Sequence, residues 1–287
     1  MTIAAGFRCS DGIVLCADSQ ITAPDGTKYN AQKVFSYSSS DVDVVFAFAG
    51  VEVFSKMCIE RLSKRVLAST ASEVAEALRD EALSIHQTYA PQATASTTEY
   101  DLDILVATKF SLSDRDQLAL YRIEGPAVSL PIKTFDCIGI GRTVARQAIS
   151  LFFKDRLSVQ EASRIGVYCL KQAKEHLDAC GGPSQITMLW DDTEVEIGPT
   201  APWNMEQHEI LEVEAGFTAL FEAFRPVFLS FNNTSPYDAS FAKHLEDAAR
   251  AIKRNWSKSF GKIVRRERKE QEELDHFIGE YNKPKNT

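Results

Sequence analysis

The order of strand-forming and helix-forming segments is the feature that most constrains the fold of this chain. Apolar runs come in two groups, and each group is followed by two segments with helical periodicity. The predicted strands cover residues 3–9, 13–17, 33–37, 42–49, 102–108, 117–123, 135–140, 185–190 and 194–197. The predicted helices cover residues 52–67, 70–87, 143–153 and 158–177. Because strands and helices do not alternate singly, we expect an α+β fold, a four-layer α-β-β-α sandwich, and not a doubly wound parallel sheet.

Turn and capping signals support several of these boundaries. Asp11-Gly12 is typical of a tight hairpin turn. Residues 70–73 (Thr-Ala-Ser-Glu) and 158–161 (Ser-Val-Gln-Glu) have capping-box spacing, which predicts a helix start at each. The strand at 42–49 is apolar nearly throughout, so we expect it to be buried on both faces.

The composition excludes several classes of protein. With 287 residues, 44% hydrophobic and 25% charged, the chain is neither disordered nor collagen-like nor a disulfide-stapled miniprotein. The six cysteines form no C-x-x-C pair, and we expect them to be buried thiols. The five histidines are isolated, so no zinc site and no cofactor are predicted.

Charge and hydropathy bear on partners and location. The net charge of −8 argues against general binding of nucleic acid. No apolar run approaches the roughly 20 residues of a membrane-spanning helix, and the N-terminus lacks the pattern of a secretory signal. We therefore expect a cytoplasmic protein.

Thr2 is the first candidate for chemistry, because it follows Met1 directly. Methionine aminopeptidases usually act before a small residue, and removal of Met1 would leave a threonine with a free α-amine. An amine with a pKa of about 8 is a usable base at neutral pH. It can accept the hydroxyl proton, which is one known way to activate a threonine nucleophile.

The residues after Thr2 resemble the start of proteasome β-type subunits. The similar segments are Thr2-Ile3-Ala4-Ala5-Gly6, Asp11-Gly12-Ile13-Val14-Leu15-Cys16-Ala17-Asp18-Ser19-Gln20-Ile21-Thr22, Lys33-Val34 and Phe48-Ala49-Gly50. The Asp-Ser-Gln-x-Thr pattern looks closer to the bacterial HslV peptidase than to the Asp-x-Arg of most archaeal and eukaryotic subunits. The resemblance covers about residues 2–198 and implies the sandwich of N-terminal-nucleophile hydrolases.

This resemblance implies a catalytic set of four residues. Thr2 would be the nucleophile, and a buried Lys33 ammonium beside it would favour ionisation of the hydroxyl. Asp18 would pair with Lys33 and orient it. The backbone N–H of Gly50 would stabilise the oxyanion, a contribution of about 3–4 kcal/mol for such donors.

The resemblance also implies where a substrate would lie. Thr22 matches the residue whose backbone aligns an extended peptide as an added strand, and Gln20 lies beside it as a second substrate-binding candidate.

Two positions depart from the family pattern. The family has Gly-Ser-Gly before its third helix, and the serine supports the N-terminal amine, whereas here the sequence is Gly139-Ile140-Gly141. Asp178, before Cys180, is a candidate for a second amine support, although its spacing is one residue short of the family's. Both departures concern the groups that position the amine.

The sequence changes character near residue 200, so we predict a sandwich domain over 2–200 and a helical extension over 201–287. One helix is expected from 209 to 231 with a break at Pro226, and a long one from about 239 to 278. Residues 250–266 contain seven basic and no acidic side chains. The apolar stripe of this predicted helix could pack on the chain itself or on a neighbouring subunit, and its positive charge would also suit an acidic partner.

Three functions remain open from the sequence. The first is a threonine endopeptidase in a homo-oligomeric ring that cleaves peptides or unfolded chains, with any ATP-driven unfoldase supplied by a separate chain. The second is a catalytically silent structural or regulatory ring subunit, which retention of Met1 would favour. The third is an N-terminal-nucleophile amidohydrolase that acts on a small amide.

Overall fold

A computed structural model describes residues 2–23, 25–89, 102–111, 117–152, 157–191 and 201–230, together with 243, 247 and 250. The chain separates into two compact units, residues 1–207 and residues 208–287. Two five-stranded sheets, each antiparallel throughout, form the framework of the first unit.

The first sheet has the order β10-β1-β2-β11-β12. Its strands are β1 (Ile3–Arg8), β2 (Gly12–Ala17), β10 (Phe135–Gly139), β11 (Gln185–Trp190) and β12 (Trp203–Asn204). The second sheet has the order β5-β6-β7-β8-β9. Its strands are β5 (Val34–Ser38), β6 (Val42–Ala49), β7 (Asp103–Phe110), β8 (Gln117–Glu124) and β9 (Ala127–Val128). A separate two-stranded ribbon pairs β3 (Gln20–Thr22) with β4 (Lys28–Asn30).

Two hydrophobic cores hold the layers together, and β6 contributes to both. Its even-numbered residues, such as Phe46 and Phe48, pack in the cluster under helices α1 (Glu52–Leu67) and α2 (Val74–Tyr89). Its odd-numbered residues, such as Val45 and Ala47, pack between the two sheets. Every residue of β6 is buried, as the apolar sequence predicts.

Two further helices cover the first sheet. These are α3 (Arg142–Phe152) and α4 (Val159–His176), which pack on β1, β2, β10 and β11. The layers are therefore helix, sheet, sheet and helix, and the predicted four-layer sandwich is confirmed. All six cysteines are buried free thiols, as expected from their scattered positions.

The two predicted capping boxes differ in the structure. Ser158 caps α4 with both reciprocal hydrogen bonds to Glu161 present. At the other site only half of the box forms: the Glu73 carboxylate accepts the Thr70 N–H at 3.1 Å, whereas the Glu73 N–H donates to the main-chain carbonyl of Thr70 at 3.1 Å. A turn occupies these residues, and α2 begins only at Val74.

The structure adds strands that the sequence pattern did not indicate. The strands β3 and β4 are three residues each and largely polar or exposed, so they carry no clear alternation. The strand β12 pairs with β11, which extends the first sheet past residue 200. The predicted strand 194–197 lies outside the described residues.

A single helix, α5 (Gln207–Ser230), begins at the end of the first unit. It continues through Pro226, so the expected break is not observed. A proline removes one backbone hydrogen bond, and a helix of 24 residues can lose one without ending. Apart from residues 243, 247 and 250, the predicted helix 239–278 and the basic segment 250–266 lie outside the described residues.

None of the described helices is both long enough and apolar enough to cross a membrane.

Candidate active site

Thr2, Asp18 and Lys33 meet at one end of the two sheets. Thr2 precedes β1, Asp18 follows β2, and Lys33 precedes β5. The Thr2 hydroxyl donates to Asp18 Oδ1 and accepts from Lys33 Nζ, and the lysine lies 2.7 Å from the same carboxylate oxygen. All three residues are at most 1% exposed. The structure therefore brings together three of the four residues to which the sequence assigns catalytic roles.

The hairpin of β1 and β2 explains why Thr2 and Asp18 are neighbours. Ala4 pairs with Ala17 in its register, so the residues just beyond this pair face each other. The Asp18 N–H donates to the Ile3 carbonyl at 3.2 Å, and the Ile3 N–H donates to Asp18 Oδ1 at 3.1 Å. Gly181 N–H donates to Asp18 Oδ2 at 2.9 Å. Backbone donors from two segments thus fix the orientation of this carboxylate.

The Lys33 side chain has three acceptors for its ammonium protons. Besides Asp18 and the Thr2 hydroxyl, it donates to the Gln20 carbonyl at 2.5 Å. Burial lowers the pKa of Lys33, whereas the nearby Asp18 carboxylate acts in the opposite direction. This buried amine therefore gives up its proton more readily than an exposed lysine does.

Gln185 is a supporting residue that the sequence did not indicate. Its Oε1 accepts the backbone N–H groups of Lys33 at 2.8 Å and Val34 at 3.1 Å, and its Nε2 donates to the Ala31 carbonyl at 2.9 Å. Gln185 begins β11 in the first sheet, so its amide fixes the segment that carries Lys33 from the opposite sheet. A contact between residues about 150 positions apart has no local signature in the sequence.

The turn after β10 lies against the backbone of Thr2. Gly141 N–H donates to the Thr2 carbonyl at 3.3 Å. Gly139 has a φ of 81°, and a Cβ built there would lie 2.4 Å from the Thr2 carbonyl oxygen. Only glycine suits this combination of dihedral angle and close approach. Ile140, where the family has a serine, is 50% exposed and supplies no hydroxyl to the site.

Gly50, the candidate oxyanion donor, directly follows β6 and has a φ of 137°. L-residues rarely adopt this backbone conformation. The preceding residue Ala49 lies close to the turn at Gly139, with 3.0 Å between its Cβ and a Cβ built on that glycine. The end of β6 and the residue that carries the nucleophile therefore adjoin the same turn.

The two substrate-binding candidates, Gln20 and Thr22, lie on strand β3 of the two-stranded ribbon. The Gln20 side chain donates to the Asp178 carbonyl at 2.9 Å, so it holds the loop before β11. The Thr22 hydroxyl is buried and has no hydrogen-bond partner within the described part of the chain. The substrate-binding roles that the resemblance implies for Gln20 and for the backbone of Thr22 stay predictions.

Asp178, the candidate amine support, is exposed. Its backbone carbonyl accepts from Gln20 and from Lys28 Nζ, the latter at 2.8 Å. The polar contacts that the structure gives Asp178 thus involve its main chain, and a role for its carboxylate at the amine stays a prediction.

The arrangement can perform nucleophilic chemistry. A hydroxyl that touches both a carboxylate and an amine of lowered pKa matches the geometry of an activated nucleophile. Among the residues that the structure describes, no cluster of three or more His, Cys, Asp or Glu side chains could hold a metal ion.

Comparison with known sequences places this geometry in a family. Residues 2–189 match the family model described as "Proteasome subunit". The proteasome subunit alpha of Methanococcus vannielii is 26% identical over 180 residues, 61% of this chain and 66% of that protein. The corresponding subunit of Methanocaldococcus jannaschii is 23% identical over 180 residues, 61% of this chain and 65% of that protein. The match thus spans slightly under two thirds of these relatives.

Solved structures share the fold at lower identity. Anbu, an ancestral beta-subunit from Yersinia bercovieri, superposes with a TM-score of 0.64 at 13% identity, covering 83% of this chain and all of that one. Anbu from Pseudomonas aeruginosa, solved as a helical assembly, has a TM-score of 0.56 at 16% identity, covering 92% of this chain and 96% of that one. The family model covers well over half of the chain and includes Thr2, Asp18 and Lys33, and this chain therefore belongs to the proteasome subunit family.

Proposed function

We propose that this chain is a threonine peptidase of the β type, which cleaves peptide bonds with Thr2 as its N-terminal nucleophile. The observation that carries the proposal is the buried cluster in which the Thr2 hydroxyl lies between the Asp18 carboxylate and the Lys33 amine. A buried lysine and aspartate cost folding free energy unless they are paired. Their convergence on a hydroxyl at the start of β1 is explained by catalysis.

The chemistry proceeds by acyl transfer. Removal of Met1 frees the Thr2 α-amine, and the hydroxyl proton passes to that amine, or to Lys33 in its deprotonated form, as Oγ1 attacks the substrate carbonyl carbon. The Gly50 N–H stabilises the oxyanion. The C–N bond then breaks, the leaving amine takes the proton, and the acyl ester on Thr2 remains. Water hydrolyses this ester and restores the hydroxyl.

The strand β3 has an edge to which an extended substrate can add. Within the described part of the chain, β3 pairs with β4 alone. An extended peptide can add to the remaining edge by main-chain hydrogen bonds near Thr22, which places its carbonyl toward Thr2.

A catalytically silent subunit is the second candidate. The curated relatives are named alpha subunits, a type that is typically non-catalytic. A silent subunit has no need of an activated Thr2, so the buried lysine at its hydroxyl favours the peptidase.

Self-association is part of the proposal. A head-to-tail contact between identical subunits yields a closed ring or an open helix, depending on whether the rotation closes. The Anbu complex of Pseudomonas aeruginosa is a helical assembly, so both outcomes belong to the proposal. Either one, in the cytoplasm, would restrict cleavage to peptides and unfolded chains, which a separate ATP-dependent unfoldase would supply.

Hydrolysis of a panel of unstructured peptides tests the activity. The purified protein is expected to release new amino termini, and Thr2→Ala is expected to release none. Thr2→Ser keeps a hydroxyl and is the matched control, so it should retain part of the rate. Cleavage of small amides without peptide cleavage would favour the amidohydrolase alternative, and activity that survives in Thr2→Ala would refute Thr2 as the nucleophile.

A further inference from the structure

Asp103 forms a polar bridge between the two sheets at the Thr2 end. It begins β7 in the second sheet, opposite Ala49 in the register of β6 and β7. Its Oδ2 accepts the N–H of Gly139, in the first sheet, at 3.2 Å. Its Oδ1 accepts from Arg122 Nε at 3.1 Å. The carboxylate therefore links the Arg122 guanidinium on β8 to the last residue of β10, where the turn before α3 begins.

This bridge is mostly buried, and burial is expensive for a carboxylate. The side chains of Asp103 and Arg122 are 20% and 13% exposed. Burial raises the pKa of Asp103, while Arg122 and the Gly139 N–H act in the opposite direction. The ion pair offsets the desolvation of the carboxylate, and the carboxylate in turn orients one backbone N–H.

The N–H that donates to Asp103 belongs to Gly139, which lies next to the main chain of Thr2. A Cβ built on Gly139 would lie 2.4 Å from the Thr2 carbonyl oxygen and 3.0 Å from the Ala49 Cβ. Two residues later, Gly141 N–H donates to the same Thr2 carbonyl. A shift of this turn would therefore move the backbone of Thr2 relative to the end of β6, where Gly50 lies.

We propose that Asp103 is a positioning residue for Thr2, because its hydrogen bond to Gly139 sets the distance between the Thr2 hydroxyl and the Gly50 N–H. It acts through the turn and makes no contact with the Thr2 side chain or with substrate. This inference rests on the proposed function, in which Thr2 is the nucleophile.

Asp103→Asn tests the inference with little change of shape. Arg122 and Gly139 donate to different oxygens of Asp103, and in asparagine one of these two positions becomes an NH2 group, which faces a donor and loses that hydrogen bond. Asp136→Asn is the matched control, since Asp136 lies 3.7 Å from the same guanidinium and its carboxylate accepts from Cys137 N–H, not from Gly139. Both variants remove one negative charge from the surroundings of Arg122.

The measurement is covalent labelling of Thr2 by a peptide electrophile over a range of concentrations. It yields kinact, the rate constant of the covalent step, and KI, the half-saturating concentration. We expect Asp103→Asn to lower kinact about 10- to 100-fold, the size of effect that misplacement of reacting groups produces, and to leave KI unchanged. Asp136→Asn is expected to keep the wild-type kinact. A merely structural defect would lower the labelled fraction and leave kinact unchanged.

The outcomes separate this inference from the proposed function. Equal kinact in the wild type and Asp103→Asn would overturn the inference and leave Thr2 as the nucleophile. An equal fall in kinact for Asp136→Asn would also overturn the inference, because the effect would then come from the loss of a negative charge near Arg122. A wild type that never reacts would overturn the proposed function and the inference with it. If Asp103→Asn does not fold, Arg122→Lys, which keeps the charge but loses the Nε donor, must lower kinact.

Discussion

Two buried lysines mark opposite ends of the second sheet. Lys33 lies at the Thr2 end and Lys109 near the far end of β7, and each is at most 1% exposed. Asp18 contacts Lys33 at 2.7 Å, and Asp43 lies opposite Lys109 in the register of β6 and β7. The six steps along the strand from Asp103 at the Thr2 end to Lys109 span about 20 Å.

The Thr2 end is distinguished by a hydroxyl that contacts its lysine. Lys33 also contacts a hydroxyl and the main-chain carbonyl of Gln20, and its pKa is lowered by burial. Lys109 lies on a regular strand between the sheets, on the same face as Leu105 and Ala107. A buried lysine opposite an aspartate therefore does not by itself indicate catalysis. The adjacent hydroxyl at a chain position that can carry a free amine is what distinguishes Lys33.

The largest expected effect follows from removing Lys33. Lys33→Met keeps the length of the side chain but removes the amine that contacts the Thr2 hydroxyl. We expect kinact for a peptide electrophile to fall by about 10²- to 10⁴-fold, the usual contribution of a positioned acid or base. Circular dichroism checks that the variant folds. Labelling at the wild-type rate would show that the α-amine alone activates Thr2.

Lys109→Met is the corresponding change at the far end. It removes the cation opposite the buried Asp43, so the free energy of unfolding should fall by about 3–5 kcal/mol, as for other disrupted buried pairs. Urea denaturation measures this loss. The folded fraction should label at the wild-type rate, and a large fall in kinact would contradict the separation of the two ends.

A smaller effect is expected at the turn beside Thr2. Gly139→Ala forces an L-residue to a φ of 81° and places its Cβ 2.4 Å from the Thr2 carbonyl oxygen. Gly26→Ala is the matched control, because Gly26 has a φ of 87° and open space around its Cβ position. Backbone strain alone costs about 1–2 kcal/mol at each site. Gly139→Ala should lose more stability than Gly26→Ala and should also label more slowly, and equal effects would disprove the close approach.

The smallest effect is expected on the pH dependence of kinact. If Lys33 accepts the hydroxyl proton, kinact rises with pH through its pKa, and burial places that rise below the range of an ordinary lysine. Asp18 raises the pKa of Lys33, so Asp18→Asn should lower it and move the rise to lower pH, although the absolute rate also falls. A rise at unchanged or higher pH in Asp18→Asn would assign the titration to another group.

The sequence predicts the strands and helices of the sandwich well, because each is determined mainly by residues close together in the chain. The apolar run of β6 and the capping box at Ser158 are each set by neighbours in the chain, and both are found as predicted. The capping box at residues 70–73 forms only in part, because the Glu73 N–H bonds to the main-chain carbonyl of Thr70, which spacing alone does not reveal.

In the candidate site, only the residues that meet at the Thr2 hydroxyl could be predicted from the sequence. Thr2, Asp18 and Lys33 each adjoin the end of a strand near the start of the chain, where a short motif fixes their spacing. Gln185 and Asp103 reach the site across the two sheets, from 152 and 36 positions away from the backbone groups they bind. No periodicity links such partners, so only the packing of the sheets reveals them.

Intact-mass spectrometry with a threonine-directed peptide electrophile tests whether Thr2 is an N-terminal nucleophile. We predict loss of one methionine and a single stoichiometric adduct on the wild type. Thr2→Ala, which also allows removal of Met1, should lose the methionine and form no adduct. Retention of Met1 with no adduct on the wild type would contradict the account and would favour a silent subunit.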